Sequence, residues 1–396
     1  MKKIKKILFV CSVYKPNVGG IETAIEELSQ YYSSKGIKST VLTKRFPFDL
    51  PEIEKEDGIE IFRFKRPIID GEYKKLLFWL KKNEGHIKSD VVHVIGVRRP
   101  MPLVGLLLAR RWNVPFVVNF SGGDIPDPND EESLRIWNEE NGTVIEPIKQ
   151  ADKLISFSKG INRLVKKSIP KLKKIDVIYA GIDLGRIKKA KTKNLPFDYI
   201  ITARRLLFDK GVDLLVDAFS LAKDKINGVK LVIVGDGPER LNIEKQVKNL
   251  GLEKDVVFKG TVGLDELFSY LKGAVAHICP SRAEGGGTIN FEAQAAGCLA
   301  IGSSTGGIPE YIRNGVTGLI FKSGDKNDLS KKIIISVKNQ NLRNKLIERA
   351  VVEIKRYSWE NIGDQYLKTY SSIRPDNLIN PWSKLSRNLW NDFNIK

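Results

Sequence analysis

Two kinds of hydrophobic pattern alternate along the chain. Short, continuous apolar runs such as Ile7-Leu8-Phe9-Val10 are typical of strands buried on both faces of a parallel sheet. Between these runs, longer segments carry apolar residues three and four positions apart, which predicts amphipathic helices. The repeated order of strand and helix predicts an α/β protein with doubly wound sheets.

The first cycle of this alternation lies in the N-terminal half of the chain. Residues 46–66 have the pattern of an antiparallel hairpin. The other predicted elements are strands 6–11, 39–43, 91–95, 116–119 and 153–157, and helices 22–35 and 103–111.

A second cycle begins near Phe197. Its predicted strands are 199–202, 230–235, 256–259, 274–278 and 299–302, and its predicted helices are 212–223, 239–250, 264–271 and 288–296. The polar, lysine-rich segment 188–196 predicts a linker between the two cycles. We therefore predict domains 1–192 and 197–355, followed by a closing helix (359–373) and a tail within 356–396.

Composition narrows the class of protein. A length of 396 residues suits two domains, each with its own core. Three cysteines without a Cys-x-x-Cys pair argue against a disulfide framework, and three histidines argue against a zinc site. No apolar run reaches the length of a membrane span. The basic, apolar start imitates a signal peptide, but Lys15-Pro16 follows at once and no cleavage site appears.

The densest candidate chemistry lies in residues 280–292, where Glu284 and Glu292 flank the triplet 285–287 of glycines. Thr288 is a candidate N-cap of the helix that follows. A glycine loop that leads into a helix N-terminus favours an anion, because free N–H groups and the positive end of the helix dipole meet there. The alternative is that neither glutamate binds a ligand: Glu284 would be a solvated loop residue, and Glu292 an acid favoured at a helix start by the helix dipole.

Residues 284–292, with Gly306-Gly307-Ile308-Pro309-Glu310 beyond them, resemble the Glu-x7-Glu signature of family-4 retaining glycosyltransferases. The resemblance implies the GT-B fold, in which two Rossmann-like domains face each other across a cleft and a C-terminal helix returns to the first domain. It also implies that Glu284 contacts hydroxyls of the donor sugar and that Glu292 contacts the nucleotide ribose. The further donor-binding positions implied are Gly286, Gly287, Thr288 and Ile289. Gly286 and Leu299 depart from the family pattern, which usually has an aromatic residue and often Pro there.

Other matches extend the resemblance. Arg205 and Lys210 occupy the positions of the family's diphosphate-binding pair, and Arg204 stands where Gly is usual. Charge supports the pair independently, because a guanidinium fork and an ammonium both suit phosphate oxygens. In so basic a chain, the alternative is a solvated surface pair. The remaining implied donor contacts are Gly19, Gly20, Gly260, Thr261 and Val262.

One departure concerns the transferred sugar. Ser121 stands where the family commonly has a histidine, and Gly122 and Asp124 follow it. A hydroxyl is not a base near neutral pH, whereas a carboxylate is one. Retaining transfer in this family is thought to use the leaving diphosphate oxygen as the base, so the resemblance does not require a histidine. We interpret His93, His277 and Cys279 as core residues.

The chain carries a formal net charge of +19. Residues 1–196 contribute +13 and the remainder +6. The densest lysines are 166, 167, 171, 173, 174, 188 and 189. A basic N-terminal half favours an acidic glycan or an anionic membrane surface, although a high lysine content also serves solubility. We expect no nucleic-acid partner, because no recognition motif accompanies the charge.

The sequence therefore predicts a retaining hexosyltransferase that uses a nucleoside diphosphate sugar and a glycan or lipid-linked acceptor, in the synthesis of cell-surface polysaccharide or glycolipid. No Asp-x-Asp occurs, so we expect no metal and no cofactor. We expect a cytoplasmic location, with peripheral attachment to the inner face of the membrane as an extension. A non-catalytic GT-B module that binds a nucleotide or a partner is the alternative. A sugar-nucleotide epimerase on the same fold lacks support, because the retaining signature is complete.

Overall fold

The computed structural model describes residues 3–17, 19–65, 73–122, 124–126, 135 and 143–373. The chain forms two compact units. The N-terminal unit comprises Met1–Ala180 and Trp359–Lys396, and the C-terminal unit comprises Gly181–Ser358. The boundary thus precedes the predicted one at residue 192, because Ile187 is buried in the core of the C-terminal unit.

The N-terminal unit contains an eight-stranded sheet in the order β3-β4-β2-β1-β5-β6-β7-β8. Its strands are β1 (Lys6–Val10), β2 (Lys38–Lys44), β3 (Ile53–Glu56), β4 (Ile59–Phe64), β5 (Val91–Ile95), β6 (Phe116–Phe120), β7 (Lys153–Ser156) and β8 (Ile175–Val177). Its helices are α1 (Gly20–Ser34), α2 (Tyr73–Lys82), α3 (Glu84–Ile87), α4 (Met101–Trp112), α5 (Ile145–Lys149) and α6 (Lys159–Ser168), and the late α15 (Trp359–Ser372) belongs to the same unit.

The apolar runs form the centre of this sheet. β1 pairs in parallel with β2 and β5, and Leu8 and Val92 face each other in adjacent strands without exposed surface. The predicted hairpin is confirmed by β3 and β4, the one antiparallel strand pair in the described part of this sheet. Charged residues on β3 suit its place at the edge, where unpaired backbone groups would otherwise invite association.

The C-terminal unit contains a six-stranded parallel sheet in the order β11-β10-β9-β12-β13-β14. Its strands are β9 (Tyr199–Ala203), β10 (Lys230–Val234), β11 (Val256–Gly260), β12 (Ala276–Cys279), β13 (Leu299–Ser303) and β14 (Gly318–Phe321). Its helices are α7 (Leu184–Lys189), α8 (Val212–Ala222), α9 (Arg240–Asn249), α10 (Leu264–Gly273), α11 (Ile289–Ala295), α12 (Ile308–Tyr311), α13 (Lys326–Lys338) and α14 (Gln340–Glu353). Two apolar clusters cover its two faces.

The strand order places a switch point in each sheet. In the N-terminal sheet the order reverses between β1 and β5, and in the C-terminal sheet it reverses between β9 and β12. Loops after such neighbouring strands diverge to opposite faces and leave a crevice at the carboxyl edge, where open α/β sheets bind ligands. The loops after β9 and β12 contain the residues singled out from the sequence.

The closing helix is confirmed, and α15 packs into the N-terminal unit. The Tyr366 hydroxyl donates to Asn119 Oδ1 (2.9 Å), and the Tyr370 hydroxyl lies 2.8 Å from His93 Nδ1. All four side chains are buried. The tail beyond it (374–396) lies outside the described residues.

Candidate active site

The loop after β9 carries three cations. The Arg205 side chain is exposed, and its guanidinium forms no hydrogen bond or salt bridge with any described residue. Arg204 points into the protein, and only 5% of its side chain is exposed. Lys210 ends a short 3-10 turn (Phe208–Lys210) before α8, and its Nζ lies 3.0 Å from Asp209 Oδ2. The motif therefore presents one free guanidinium, one buried guanidinium and one half-buried ammonium.

The glycine loop after β12 presents free backbone donors. Among the residues that the structure describes, the amides of Gly286, Gly287, Thr288 and Ile289 donate no hydrogen bond. Thr288 precedes α11 as predicted, but its side chain forms no cap hydrogen bond. Consecutive unpaired amides favour an anion, because each N–H group is a hydrogen-bond donor that only water would otherwise pair.

Glu284 is held through one carboxylate oxygen. Its Oε2 accepts from Arg204 Nη2 (2.5 Å) and Ser281 Oγ (3.2 Å), and Lys210 Nζ lies 3.5 Å away. Only 14% of the side chain is exposed. Among the described residues no donor reaches Oε1, and this atom is not one of the fully buried unpartnered atoms. The free oxygen can therefore accept a hydrogen bond from a ligand.

The second glycine pair of the motif supports Glu284 from behind. The Gly307 amide donates to the Glu284 carbonyl (3.1 Å). Gly306 has a φ of +56°, and a Cβ there would lie 1.8 Å from the same carbonyl oxygen. Only glycine allows this approach and this conformation without strain. A different contact explains Gly286, because a Cβ there would lie 2.9 Å from the Tyr311 hydroxyl.

Arg282 ties the two loops together. Its guanidinium binds Asp213 in a bidentate pair (2.7 and 2.6 Å) and donates to the Phe208 carbonyl (2.8 Å). Its amide donates to the Asp209 carbonyl (2.8 Å). These contacts fix the turn that carries Lys210 against the glycine loop. Sequence reasoning did not single out Arg282 for this structural role.

Glu292 lies in the first turn of α11 and is half-buried. Among the described residues its carboxylate has no hydrogen-bond or salt-bridge partner. Burial raises the pKa of Glu292 to about 7. A hydroxyl donor from a ligand would stabilise the charged form of this partly buried, unpartnered carboxylate.

Gly260, Thr261 and Val262 lie at the end of β11, on the same carboxyl edge of the sheet. The Gly260 carbonyl accepts from the Gly235 amide at the end of β10 (2.7 Å). Thr261 is exposed, and Val262 packs partly into the core. The contact of this segment with a nucleobase stays a prediction.

In the N-terminal unit, the residues predicted near the sugar gather at the carboxyl edge between β1, β5 and β6. Gly19 immediately precedes α1, which begins at Gly20, and Ile21 lies beside Gly96. Asp124 accepts from the Ser121 hydroxyl (2.7 Å), the Gly122 amide (3.0 Å) and the Val97 amide (2.5 Å). Both its oxygens thus organise the loop, so Asp124 acts here as a structural acceptor. Its role in transfer stays a prediction.

The interpretation of the histidines as core residues agrees with their burial. His93 and His277 have no exposed surface, and burial lowers the pKa of each to about 3. Cys279 is also buried, but its Sγ accepts from Arg204 Nη1 (2.7 Å). Burial disfavours the charge of Arg204, yet contacts with Cys279 and Glu284 raise its pKa. One signal for this buried cation is visible in the sequence, namely Arg204 at a position where glycine is usual in the family.

Two models of known families match this chain. Residues 18–186 match the model of Glycosyltransferase Family 4, and residues 185–352 match that of Glycosyl transferases group 1. The chain is a family-4, group 1 glycosyltransferase. This glycosyltransferase is 25% identical over 382 residues to N-acetyl-alpha-D-glucosaminyl L-malate synthase of Bacillus anthracis, with 91% of this chain and 96% of the relative covered.

Solved structures share its fold. Sucrose-phosphate synthase from Thermosynechococcus elongatus has a TM-score of 0.76 and 19% identity, with 93% of this chain and 98% of that chain covered. HepE from Anabaena, in complex with UDP and glucose, has a TM-score of 0.72 and 20% identity, with 93% and 100% covered. The two units of this glycosyltransferase are Rossmann-like α/β domains of the GT-B fold.

Only part of the predicted lysine cluster of this glycosyltransferase is exposed and unpaired in the N-terminal unit. Lys173 donates to the Ala151 carbonyl and burial lowers its pKa, while Lys174 pairs with Asp176 (3.5 Å). Exposed Lys166, Lys167 and Lys171 form no salt bridge with the described residues. Lys188 and Lys189 belong to the C-terminal unit. Within the described part of the chain, no helix is long and apolar enough to span a membrane.

Proposed function

We propose that this enzyme is a retaining, metal-independent hexosyltransferase. Its donor is a nucleoside diphosphate sugar, and its acceptor is a glycan or a lipid-linked molecule in the synthesis of cell-surface polysaccharide or glycolipid. The observation that carries the proposal is the arrangement around the glycine loop. Free backbone amides, the unpaired Arg205 guanidinium and Glu284, which is held through only one of its carboxylate oxygens, occur together there. The HepE structure with UDP and glucose supports the choice of donor class.

Each group has a task in the proposed reaction. Arg205, Lys210 and the amides of 286–289 bind the diphosphate and stabilise the charge that grows as the bond to the anomeric carbon breaks. Glu284 Oε1 accepts a hydrogen bond from a hydroxyl of the sugar, and the Glu292 carboxylate accepts one from a hydroxyl of the ribose. The acceptor oxygen bonds to the anomeric carbon on the face that the diphosphate leaves. Its proton goes to the departing diphosphate oxygen.

We predict that the enzyme binds and slowly hydrolyses one nucleoside diphosphate sugar, and that excess EDTA leaves this activity largely intact. Protein cations and amides supply the positive charge that Mg²⁺ supplies in metal-dependent enzymes. The measurement is a screen of UDP-, GDP- and ADP-sugars by thermal shift and product analysis, with and without EDTA.

Three outcomes separate the possibilities. Activity that EDTA abolishes and Mn²⁺ or Mg²⁺ restores would contradict the proposed phosphate chemistry. Binding of a nucleotide without hydrolysis or transfer to any acceptor would favour a non-catalytic binding module, for which Ser121 in place of histidine is the motivating residue. Product with inverted anomeric configuration would disprove the retaining mechanism.

We also propose that Lys166, Lys167 and Lys171 attach the N-terminal unit to an anionic membrane surface. Each lysine near such a surface contributes about 1 kcal/mol. Replacement of all three by Gln should therefore weaken partition onto anionic vesicles by about 10²-fold. High salt should weaken the wild type similarly, because exposed charges are screened. Vesicle sedimentation measures both effects.

A charge-matched control comes from exposed lysines of the C-terminal unit. The control variant replaces Lys245, Lys248 and Lys254 by Gln. It should partition like the wild type. Equal partition of the wild type onto neutral and anionic vesicles would remove the membrane from the proposal.

A further inference from the structure

Arg204 and Lys210 approach the same oxygen of Glu284, but they do so differently. Arg204 Nη2 lies 2.5 Å from Oε2, and Lys210 Nζ lies 3.5 Å from it. Arg204 has 5% of its side chain exposed and Lys210 has 17%. Arg204 is therefore the close and buried partner, while Lys210 is the loose one at the surface of the site.

The surroundings of Arg204 also hold it in place. Its Nη1 donates to Cys279 Sγ (2.7 Å), so both terminal nitrogens of the guanidinium are hydrogen-bonded. Lys210 has an alternative partner in Asp209 (3.0 Å) and lies on a turn at the protein surface. An ammonium on a flexible stem exchanges partners more readily than a planar guanidinium held at two atoms.

We propose that Arg204 is a positioning residue that orients Glu284 toward the donor sugar, while Lys210 is the exchangeable partner that leaves Glu284 for the diphosphate. This inference rests on the proposed function. Arg204 occupies Oε2 throughout and directs Oε1 to the sugar hydroxyl. When Lys210 turns to the phosphate oxygens, Arg204 remains to balance the Glu284 charge. Without Arg204, Lys210 would be the one cation of the described residues that reaches this carboxylate.

The inference separates sugar recognition from nucleotide recognition. In Arg204→Met, affinity for UDP-glucose should fall by about tenfold or more, the effect of one misplaced charged hydrogen bond. Affinity for UDP should fall by a smaller factor, because Glu284 then competes for Lys210 but does not itself contact the nucleotide. Arg204→Lys, which keeps a charge near Oε2, should recover part of the lost affinity. If the screen selects a GDP- or ADP-sugar, that sugar and its diphosphate replace this pair.

A matched control is Arg110→Met in the N-terminal unit. Arg110 is also buried, with 2% of its side chain exposed, and it forms a bidentate pair with Asp152 (both 3.0 Å). Loss of either buried ion pair should lower the melting temperature. Only the Arg204 variant should change the ratio of UDP-glucose affinity to UDP affinity.

The outcomes test the proposed function and the positioning role of Arg204 separately. A wild type that binds none of the nucleoside diphosphate sugars would disprove the proposed function, and this inference with it. A wild type that binds its donor, together with an Arg204→Met variant that loses UDP and UDP-glucose affinity equally, would show that Arg204 only supports the loop. Unchanged affinity for UDP-glucose, or no recovery in Arg204→Lys, would also overturn the positioning role.

Discussion

Replacement of Arg205 by Ala is expected to lower turnover by about 10²–10³-fold, the usual effect of losing one preorganised donor that stabilises developing charge. The Arg205 guanidinium is exposed and has no partner among the described residues, so it needs no rearrangement before it binds the leaving diphosphate. Lys210→Ala should cost less, because Lys210 must first leave Asp209 and Glu284. Steady-state transfer or donor hydrolysis measures both variants.

The control for general loss of charge is Lys245→Ala. Lys245 is exposed on α9 in the same unit and lies in none of the proposed contacts. It should keep wild-type turnover. If Arg205→Ala also kept it, the loop after β9 would not be the diphosphate site.

Separate replacement of Glu284 and of Glu292 by Gln should distinguish an effect on transfer from an effect on nucleotide binding. Glu284→Gln keeps size but removes the charged acceptor, so turnover should fall by about 10²-fold. Glu292→Gln should instead weaken UDP binding by about tenfold, the value of one charged hydrogen bond. Turnover at saturating donor should change little in Glu292→Gln. Kinetics and UDP titration on both variants measure the split, with melting temperature as a check on folding.

The pH dependence of UDP binding gives a second test of Glu292. Burial raises the pKa of Glu292 from 4.5 to about 7, so the stability it contributes is present below 4.5 and lost as pH rises through 7. A ribose hydroxyl favours the charged form, and UDP affinity should therefore rise through the same window. Glu292→Gln controls for titration of the nucleotide phosphate. Parallel pH profiles for the two proteins, or a Glu284→Gln variant with full activity, would contradict the assignment.

Most of the fold follows from local pattern. The predicted strand 91–95 is β5 without change, and 6–11 differs from β1 by one residue, because continuous apolar runs have few alternatives in a parallel sheet. The predicted boundary between the units lies too far along the chain, because α7 (Leu184–Lys189) is short and lysine-rich and so resembles a linker. Burial of Ile187 is what assigns α7 to the C-terminal unit. No local pattern reveals such a contact.

The motif located the glycine loop, and the structure agrees on where its backbone amides are free. The role of Arg204 was not predicted. Arg204 and Arg205 are neighbours of the same type, and only the tertiary structure makes one exposed and buries the other beside Glu284. The bracing of Lys210 by Arg282 was missed for the same reason, because the contact joins residues far apart in sequence.

The last described helix has a consequence for biosynthesis. Ribosomes deliver the chain from its N-terminus, but the N-terminal unit needs α15 to cover Asn119 and His93. The entire C-terminal unit, Gly181–Ser358, is synthesised before that helix emerges. The sequence of the C-terminal unit is therefore complete before that of the N-terminal unit. Until α15 is synthesised, Asn119 and His93 of the N-terminal unit lack the helix that covers them in the folded protein. Such a nascent chain offers chaperones a binding surface until the final turns of helix leave the exit tunnel.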